Sequence, residues 1–320
     1  MISKFENPLT NALSQGISEQ DILEAVKSSG YPLQTIITEK LKSFDLTEEW
    51  SFVDRDTKSM RNIDILAEKR LYTYEDFPDT RVRPHISLLI ECKQSSLPYV
   101  FFLTKHKPFL DNFPIYTGLF NNNRIQIKSN DTRDTWSLSI NRLFGLVEHD
   151  FICNSPYNSK VFSKCVRKGR EFELSGSDTY NSVVMPVIKA MSHYSQVCTP
   201  PKTAHYFSSY LTMGIAVIDG PMLGINVNED GNNELVFTPW VRVLRHENDD
   251  ELKWMYKGKH YVIDVIHKDF FSTYIDQHLM PFAESYASYA LKHAKVLANG
   301  KGFIKGMGQD CTNNLEDRLK

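Results

Sequence analysis

Apolar and polar residues alternate along this chain in two distinct periods, and the changes between them outline the elements. Ser18, with Asp21 three residues on, has the look of an N-cap for a helix carrying Ile22, Leu23 and Val26 and ending near Gly30. Pro32 stands where a first helical residue belongs, and Leu33, Ile36, Ile37 and Leu41 repeat at helical spacing behind it. The period then shortens. Trp50 to Arg55 and Asn62 to Ala67 read as two strands joined by a polar stretch, Asp56-Thr57-Lys58-Ser59. A longer polar connection from Tyr74 to Pro84 leads into a strongly apolar strand, Ile86 to Cys92, followed by a short run from Tyr99 to Leu103. Residues 105 to 180 are rich in asparagine, aromatics and charge, and read as an insertion with some β structure. Order returns with a helix near Val183 to Gln196 and with strands at Leu211–Ile218, Leu235–Leu244 and Tyr261–Ile266. An alanine-rich helix from Phe282 to Ala298 closes the pattern; Asn299-Gly300 is its C-cap, and Ala283, Ala287, Ala290, Leu291 and Ala294 line a face suited to close packing.

The expected organisation is a polar segment 1–17, a first part of a core at 18–104, the insertion at 105–180, the rest of the core at 181–300 and a polar tail at 301–320. Composition changes little in that picture. With 320 residues, 41% hydrophobic and 24% charged, the chain can bury a sizeable core. Its 37 basic and 39 acidic side chains leave a net charge of −2, which excludes a histone-like surface but not a local basic groove. No segment approaches the roughly 20 apolar residues of a bilayer span, and the start of the chain lacks the apolar core of a secretory signal, so no membrane association and a cytoplasmic location are expected. Five scattered cysteines, none in a Cys-x-x-Cys, suggest reduced buried thiols instead of zinc or disulfides.

Charge distribution is more informative than its sum. Residues 45–79 hold ten acids against five bases, which suits a cation. From Pro156 to Arg170 there are Lys160, Lys164, Arg167, Lys168 and Arg170 and no acid, interleaved with Tyr157 and Phe162; this is either an arm that contacts a nucleic-acid backbone or a solvated helix face. His205, His260 and His267 are either site-lining or structural. No Gly-x-Ser-x-Gly elbow, His-x-x-x-His pair or phosphate-cradling glycine loop is present, and Gly300-Lys-Gly302 follows a helix instead of linking a strand to one.

The chemistry lies in two strands that carry charge where an unpaired charge costs several kcal/mol: Ile63-Asp64-Ile65-Leu66-Ala67 and Leu88-Leu89-Ile90-Glu91-Cys92-Lys93-Gln94. Alternation puts Glu91 and Lys93 on one strand face and Cys92 on the other. If the Asp64 strand pairs alongside, Asp64, Glu91 and Lys93 converge at a sheet end. Two carboxylates and a backbone carbonyl are hard ligands suited to Mg²⁺, and an ammonium beside them can stabilise charge on a phosphate. Glu251-Leu252-Lys253 repeats the Glu-x-Lys spacing, but in a polar run that reads as a solvated loop. The bland alternative is a buried ion pair of Lys93 with Glu91 or Asp64 and no catalysis.

With its helix, two hairpin strands and Glu91-Cys92-Lys93 strand, the stretch from about 31 to 104 resembles the PD-(D/E)xK nuclease superfamily, in particular bacterial members. The resemblance implies a restriction-endonuclease-like α/β fold: a mixed central sheet flanked by helices, here with a mid-chain insertion. It further implies a Mg²⁺-dependent nuclease, Mn²⁺ being an alternative ion, acting on nucleic acid with DNA favoured, in restriction, phage defence or repair. Asp64, Glu91 and the Cys92 carbonyl would ligate the metal, and Lys93 would position the attacking water. Gln94 would contact metal-bound water or substrate. A glutamate on the preceding helix often joins the metal shell; here that helix offers Gln34 and Glu39, with Glu39 the carboxylate. Ile63 replaces the eponymous proline. The alternative function is a nuclease-fold protein that no longer cuts and binds nucleic acid or protein, and a homodimer or a partner protein is compatible with either.

Overall fold

The computed structural model describes residues 7–104, 110, 113–121, 124–130, 133–154, 156–228, 230–231, 233–247, 259–304 and 315–319. The first helix, α1 (Glu19–Ser28), opens on a reciprocal capping box: the Asp21 N–H donates to Ser18 Oγ at 3.1 Å, and the Ser18 N–H donates to Asp21 Oδ2 at 3.2 Å. Its Ile22, Leu23 and Val26 stay exposed. The second helix, α2 (Tyr31–Lys40), has Pro32 in its first turn and buries Leu33 and Ile37 on the face that Leu41 extends, while Ile36 points away.

The strands follow as β1 (Asp45–Val53), β2 (Met60–Arg70), β3 (Val82–Gln94), β4 (Tyr99–Thr104), β5 (Ile115–Thr117), β6 (Arg124–Ser129), β7 (Thr135–Ser139), β8 (Tyr157–Lys168) and β9 (Glu171–Ser175). After the helix Met185–Val197 come β10 (Phe207–Asp219), β11 (Met222–Val227), β12 (Asn233–Phe237), β13 (Trp240–Glu247) and β14 (Lys259–His267). The helices Met280–Lys292 and Ala294–Asn299 and strand β15 (Lys301–Ile304) complete the order before a final turn at Leu315–Arg318.

A 12-stranded mixed sheet runs β1-β2-β3-β10-β14-β13-β8-β4-β11-β12, with β5 beside β10 and β9 beside β8; β15, β6 and β7 form a second, three-stranded sheet. The protein is therefore α/β, with a large mixed sheet flanked by helices. β1, β2 and β3 are antiparallel neighbours, whereas β3, β10 and β14 run parallel. The chain leaves β3 for β4 and β10 for β11 across short turns, and each resulting pair remains parallel. Gly220 permits that shared bend, because a Cβ there would sit 2.2 Å from the Ser95 carbonyl oxygen. On one side of the sheet Leu33, Ile37, Leu88, Ile90 and Cys92 join a large core with Phe282 and Tyr286; on the other, Leu89, Ala216 and Ile218 pack under Val187, Ile188 and Met191. Gly214 lets that second helix approach, since a Cβ would meet Met191 Sδ at 2.4 Å.

Several expectations change. Leu235–Leu244 is two strands, because Thr238-Pro239 turns the chain between β12 and β13 and a proline lacks the N–H that a ladder needs. The alanine-rich helix breaks at His293, a residue off helical geometry at φ −111° and ψ 30°. Gly300, in the left-handed region at φ 63°, caps its second part as expected. Residues 105–180 do not stand apart: β8 joins β4 and β13 in the main sheet. The stretch after residue 300 contributes β15, and Ile304, Leu315 and Leu319 are core residues. Of the four described cysteines only Cys92 is buried, and none is in a disulfide; Cys311 and the Glu251-x-Lys253 repeat lie outside the described residues. No described helix is long and apolar enough to cross a membrane.

Candidate active site

Asp64 sits where the β2–β3 ladder ends and the β1–β2 ladder skips a pair. The β1–β2 register pairs Glu48 with Ile65 and Trp50 with Ile63, leaving the Glu49–Asp64 position between them unpaired. The β2–β3 ladder runs from Arg70–His85 to Ile65–Ile90 and stops. Beyond that point the Cys92 N–H finds the Asp64 side chain instead of a backbone carbonyl, donating to Oδ2 at 2.6 Å. A strand residue's N–H and C=O face the same neighbour, so the Cys92 carbonyl opens onto the same gap between β2 and β3. Alternation does what the sequence pattern predicted: Cys92 joins the large core, while Glu91 and Lys93 project from the opposite face, where the Lys93 ammonium is hydrogen-bonded to Glu91 Oε1.

Electrostatics make this a strained cluster. Glu91 is 5% exposed, and burial pushes its carboxyl up to about 7; Asp64 adds to the rise, and Lys93 opposes it. Asp64, half-buried, is also raised, again chiefly by burial, although the Cys92 N–H and Lys93 pull the other way. For Lys93 burial disfavours the charge, but Glu91 and Asp64 outweigh it and hold the ammonium above its ordinary range. Carboxylate charge outnumbers the single ammonium, so the balance still favours a cation.

The helix neighbour is Gln34, not Glu39. Gln34 is buried, and its Nε2 donates to the Asp64 carbonyl oxygen at 3.1 Å, with Glu48 Oε2 at 3.5 Å. Glu39 is exposed, five positions on and so about 140° around the helix from Gln34. The burial of Leu33, Ile37 and Leu41 fixes that rotation and turns Glu39 outward. Glu39 is thus not placed to ligate an ion beside Asp64. Gln94 is occupied locally: its Nε2 donates to the Lys27 carbonyl at 2.8 Å, tying the end of α1 to the end of β3.

The basic stretch forms a β-hairpin, not a helix face. Lys160, Lys164, Arg167 and Lys168 lie on β8, and Arg170 follows Gly169 in the turn to β9. Lys168 pairs with Glu173 at 2.9 Å, Arg167 lies over the Phe172 ring and Lys164 over Tyr99. Four strands along the sheet path, β3, β10, β14 and β13, separate β8 from β2, so among the described residues these cations lie away from Asp64.

Glu49 escaped the sequence reading. It occupies the register position opposite Asp64, its charge raises both Asp64 and Glu91, and its φ of 50° is a left-handed conformation that a glutamate adopts only at a cost. The pattern starts the strand at Trp50 and leaves Glu49 in a turn; only the register, extending β1 back to Asp45, brings it to the site.

Among the described residues, no group of three or more His, Cys, Asp or Glu side chains is arranged to hold a metal ion. What the cluster offers is two carboxylates and a carbonyl, a donor set that fits Mg²⁺ because that ion keeps several of its waters. No family model matches this chain, and comparisons with curated proteins and with solved structures give no significant match.

Proposed function

We propose that this protein is a Mg²⁺-dependent phosphodiesterase that hydrolyses nucleic acid, DNA being the favoured substrate, on a restriction-endonuclease-like core. The observation that carries the reading is the meeting of Asp64, Glu91 and Lys93 where the β2–β3 ladder ends, with Glu91 held near neutrality by burial. The order of elements supports it: a helix, three antiparallel strands and, after the intervening β4–β9, a helix and a strand parallel to the third. Asp64, Glu91 and the Cys92 carbonyl would hold the ion, which supplies Lewis acidity toward a phosphate oxygen. Lys93, anchored on Glu91, places positive charge where a phosphorane accumulates negative charge and can orient the attacking water. Asp64 is fixed from both ends, its carboxylate by the Cys92 N–H and its carbonyl by Gln34.

The test is incubation of the protein with linear, circular and single-stranded DNA in Mg²⁺ or Mn²⁺. Wild type is expected to cut, and the Asp64→Ala, Lys93→Ala double variant to be inert. Identical behaviour of the two on every substrate sinks the proposal.

One observation favours a second reading. The contact between Lys93 and Glu91 pairs the two charges without any ion, as in a fold that binds nucleic acid or protein and no longer cuts. Calorimetric titration with Mn²⁺ separates the two: binding abolished by Asp64→Ala belongs to the nuclease, and no binding belongs to the binder.

A further inference from the structure

The end of β3 away from Lys93 opens on a cavity that the proposed chemistry does not use. β3 begins at Val82, and Lys93 lies eleven residues on, about 36 Å along an extended strand. Just before Val82 the chain lines a cavity of about 870 Å³, a volume within the range that small-molecule ligands occupy. One wall is the connection from β2, with Asp76, Phe77 and Asp79. The other is the break between the helices Met280–Lys292 and Ala294–Asn299, continued by β15. One side chain joins the two walls: Arg81 Nη1 donates to Asn299 Oδ1 at 3.2 Å, while its Nε donates to the His205 carbonyl at 3.1 Å.

The walls are opposite in charge. Asp76 and Asp79 face a side that carries Lys292, Lys295 and Lys301. Some of this charge is already answered, since Lys292 lies 2.6 Å from Glu316 and the Thr73 hydroxyl donates to Asp76. The side chains of Asp79, Lys295 and Lys301 have no hydrogen-bond or ion-pair partner among the described residues. Each wall also presents a phenyl ring: Phe77 is 42% exposed and Phe303 is 49% exposed. Lys301 and Phe303, two apart on β15, share a strand face, and Gly302 and Ile304 turn the other way into the protein.

We propose that this cavity binds a nucleoside phosphate, at a site separate from the candidate active site. A bare anion drawn to the lysines also meets Asp76 and Asp79 and gains little. The ligand that fits has negative charge at one end, hydrogen-bond donors at the other and a flat apolar body between them. A nucleoside phosphate supplies all three: phosphate oxygens for Lys295 and Lys301, a ring face for Phe77 and Phe303, and base N–H groups for Asp79, whose carboxylate only accepts. Guanine matches one carboxylate best, because its ring N–H and amino group are adjacent donors. The inference is independent of the nuclease reading, since the two ends of β3 carry separate residues.

The experiment is titration of the protein with a ribose-labelled fluorescent guanosine diphosphate, followed by anisotropy in EDTA. Wild type is expected to bind at micromolar concentrations, and the Asp64→Ala, Lys93→Ala double variant to bind equally well. Lys295→Ala and Lys301→Ala together weaken binding about tenfold or more. Phe77→Ala and Phe303→Ala each weaken it about five- to hundredfold. All four side chains are exposed, so these variants keep the wild-type Tm. Asp79→Ala separates a nucleotide from a bare anion: it weakens binding severalfold if the carboxylate holds the base, and tightens it if the cavity attracts charge alone. Tightening overturns the proposal. Unlabelled guanosine diphosphate displaces the probe, and inorganic phosphate in large excess does not. Absence of binding, displacement by phosphate as effective as by the nucleotide, or binding indifferent to all the cavity variants overturns it too. Cavity-sensitive binding by a protein that never cuts DNA refutes the nuclease alone.

Discussion

Two groups of buried charge stand in this sheet, and they are built in opposite ways. Arg242 and Asp264 are 1% and 0% exposed and pair through two bonds, 2.8 Å from Nε and 3.0 Å from Nη2. Each guanidinium nitrogen has a partner: Nη1 donates to the Phe151 carbonyl at 3.0 Å, the Tyr274 hydroxyl donates to Asp264 Oδ2 at 2.9 Å, and the guanidinium lies 4.3 Å from the Phe113 ring centroid. Asp64, Glu91 and Lys93 are instead half-open, at a ladder's end, with acids in excess and Glu91 lifted to about 7. A closed charge group holds elements together. An open one retains an electrostatic demand that something outside the chain can answer, and that difference separates architecture from chemistry here.

The sharpest break of the comparison is to remove one carboxylate from each group. Asp264→Ala leaves a buried guanidinium alone, which costs about 3–5 kcal/mol and lowers the urea midpoint in proportion. Asp64→Ala removes an acid that burial already disfavours, so stability falls by about 1 kcal/mol or less and the midpoint moves little. On the proposed nuclease reading, the variant instead loses cleavage by about 10³-fold or more, on the order of 4 kcal/mol in the barrier. Denaturation and cleavage measured on both variants decide the matter. If Asp264→Ala is as stable as wild type, or Asp64→Ala unfolds like a core variant, the distinction between closed and open groups collapses.

The open group was legible in the sequence because its signal is local. A charge at alternating positions in an apolar strand names the residue and its face together, and Asp64, Glu91 and Lys93 needed only the pairing of neighbouring strands to meet. The closed group was not legible: Arg242 and Asp264 are 22 residues apart, on two antiparallel strands whose register the local pattern does not set, and nothing in either strand announces the other. The same limit governs the rest. Helical spacing placed Leu33, Ile37 and Leu41 in the core but did not by itself say which of Gln34 and Glu39 would lie beside Asp64, because that depends on which part of α2 crosses β2. Glu49 needed a register two strands long. The basic run at 160–170 was visible as composition, yet its place on β8, remote from Asp64 along the sheet, came from long-range pairing that composition does not encode.

Acid titration sharpens the contrast further. Glu91 keeps its proton to a higher pH in the folded chain than in the unfolded one, where a glutamate titrates near 4.5. Between about 4.5 and 7 the folded state therefore binds more protons. The stability that this protonation contributes is full below 4.5 and is lost as pH rises through 7, a change on the order of 3 kcal/mol. Subtracting the curve of Glu91→Gln, which has no such proton, isolates the effect from other titrations. A difference that stays flat from pH 4 to 8 contradicts a buried, raised Glu91. Mn²⁺ answers the same demand, since it must displace that proton; its affinity is expected to rise up to about tenfold per pH unit below 7 and to level above it.

The smallest expected effect concerns how the open group keeps its shape. Gln34 reaches Asp64 through one neutral hydrogen bond to the carbonyl, whereas the closed group needs no such support from a helix. Gln34→Ala removes a donor from a buried acceptor, at a cost of about 1–2 kcal/mol, while Glu39→Ala, on the exposed side of the same helix, stays within about 0.5 kcal/mol of wild type. Because Gln34 acts through the peptide of Asp64 and touches no substrate, its loss weakens Mn²⁺ binding severalfold and leaves cleavage at saturating ion close to wild type. Gln34→Glu keeps the side chain's reach but exchanges the donor for a charge beside Glu48, so it does not restore stability. A Gln34→Ala variant with unaltered Mn²⁺ affinity makes α2 a packing element only, and the strand end alone then orients Asp64.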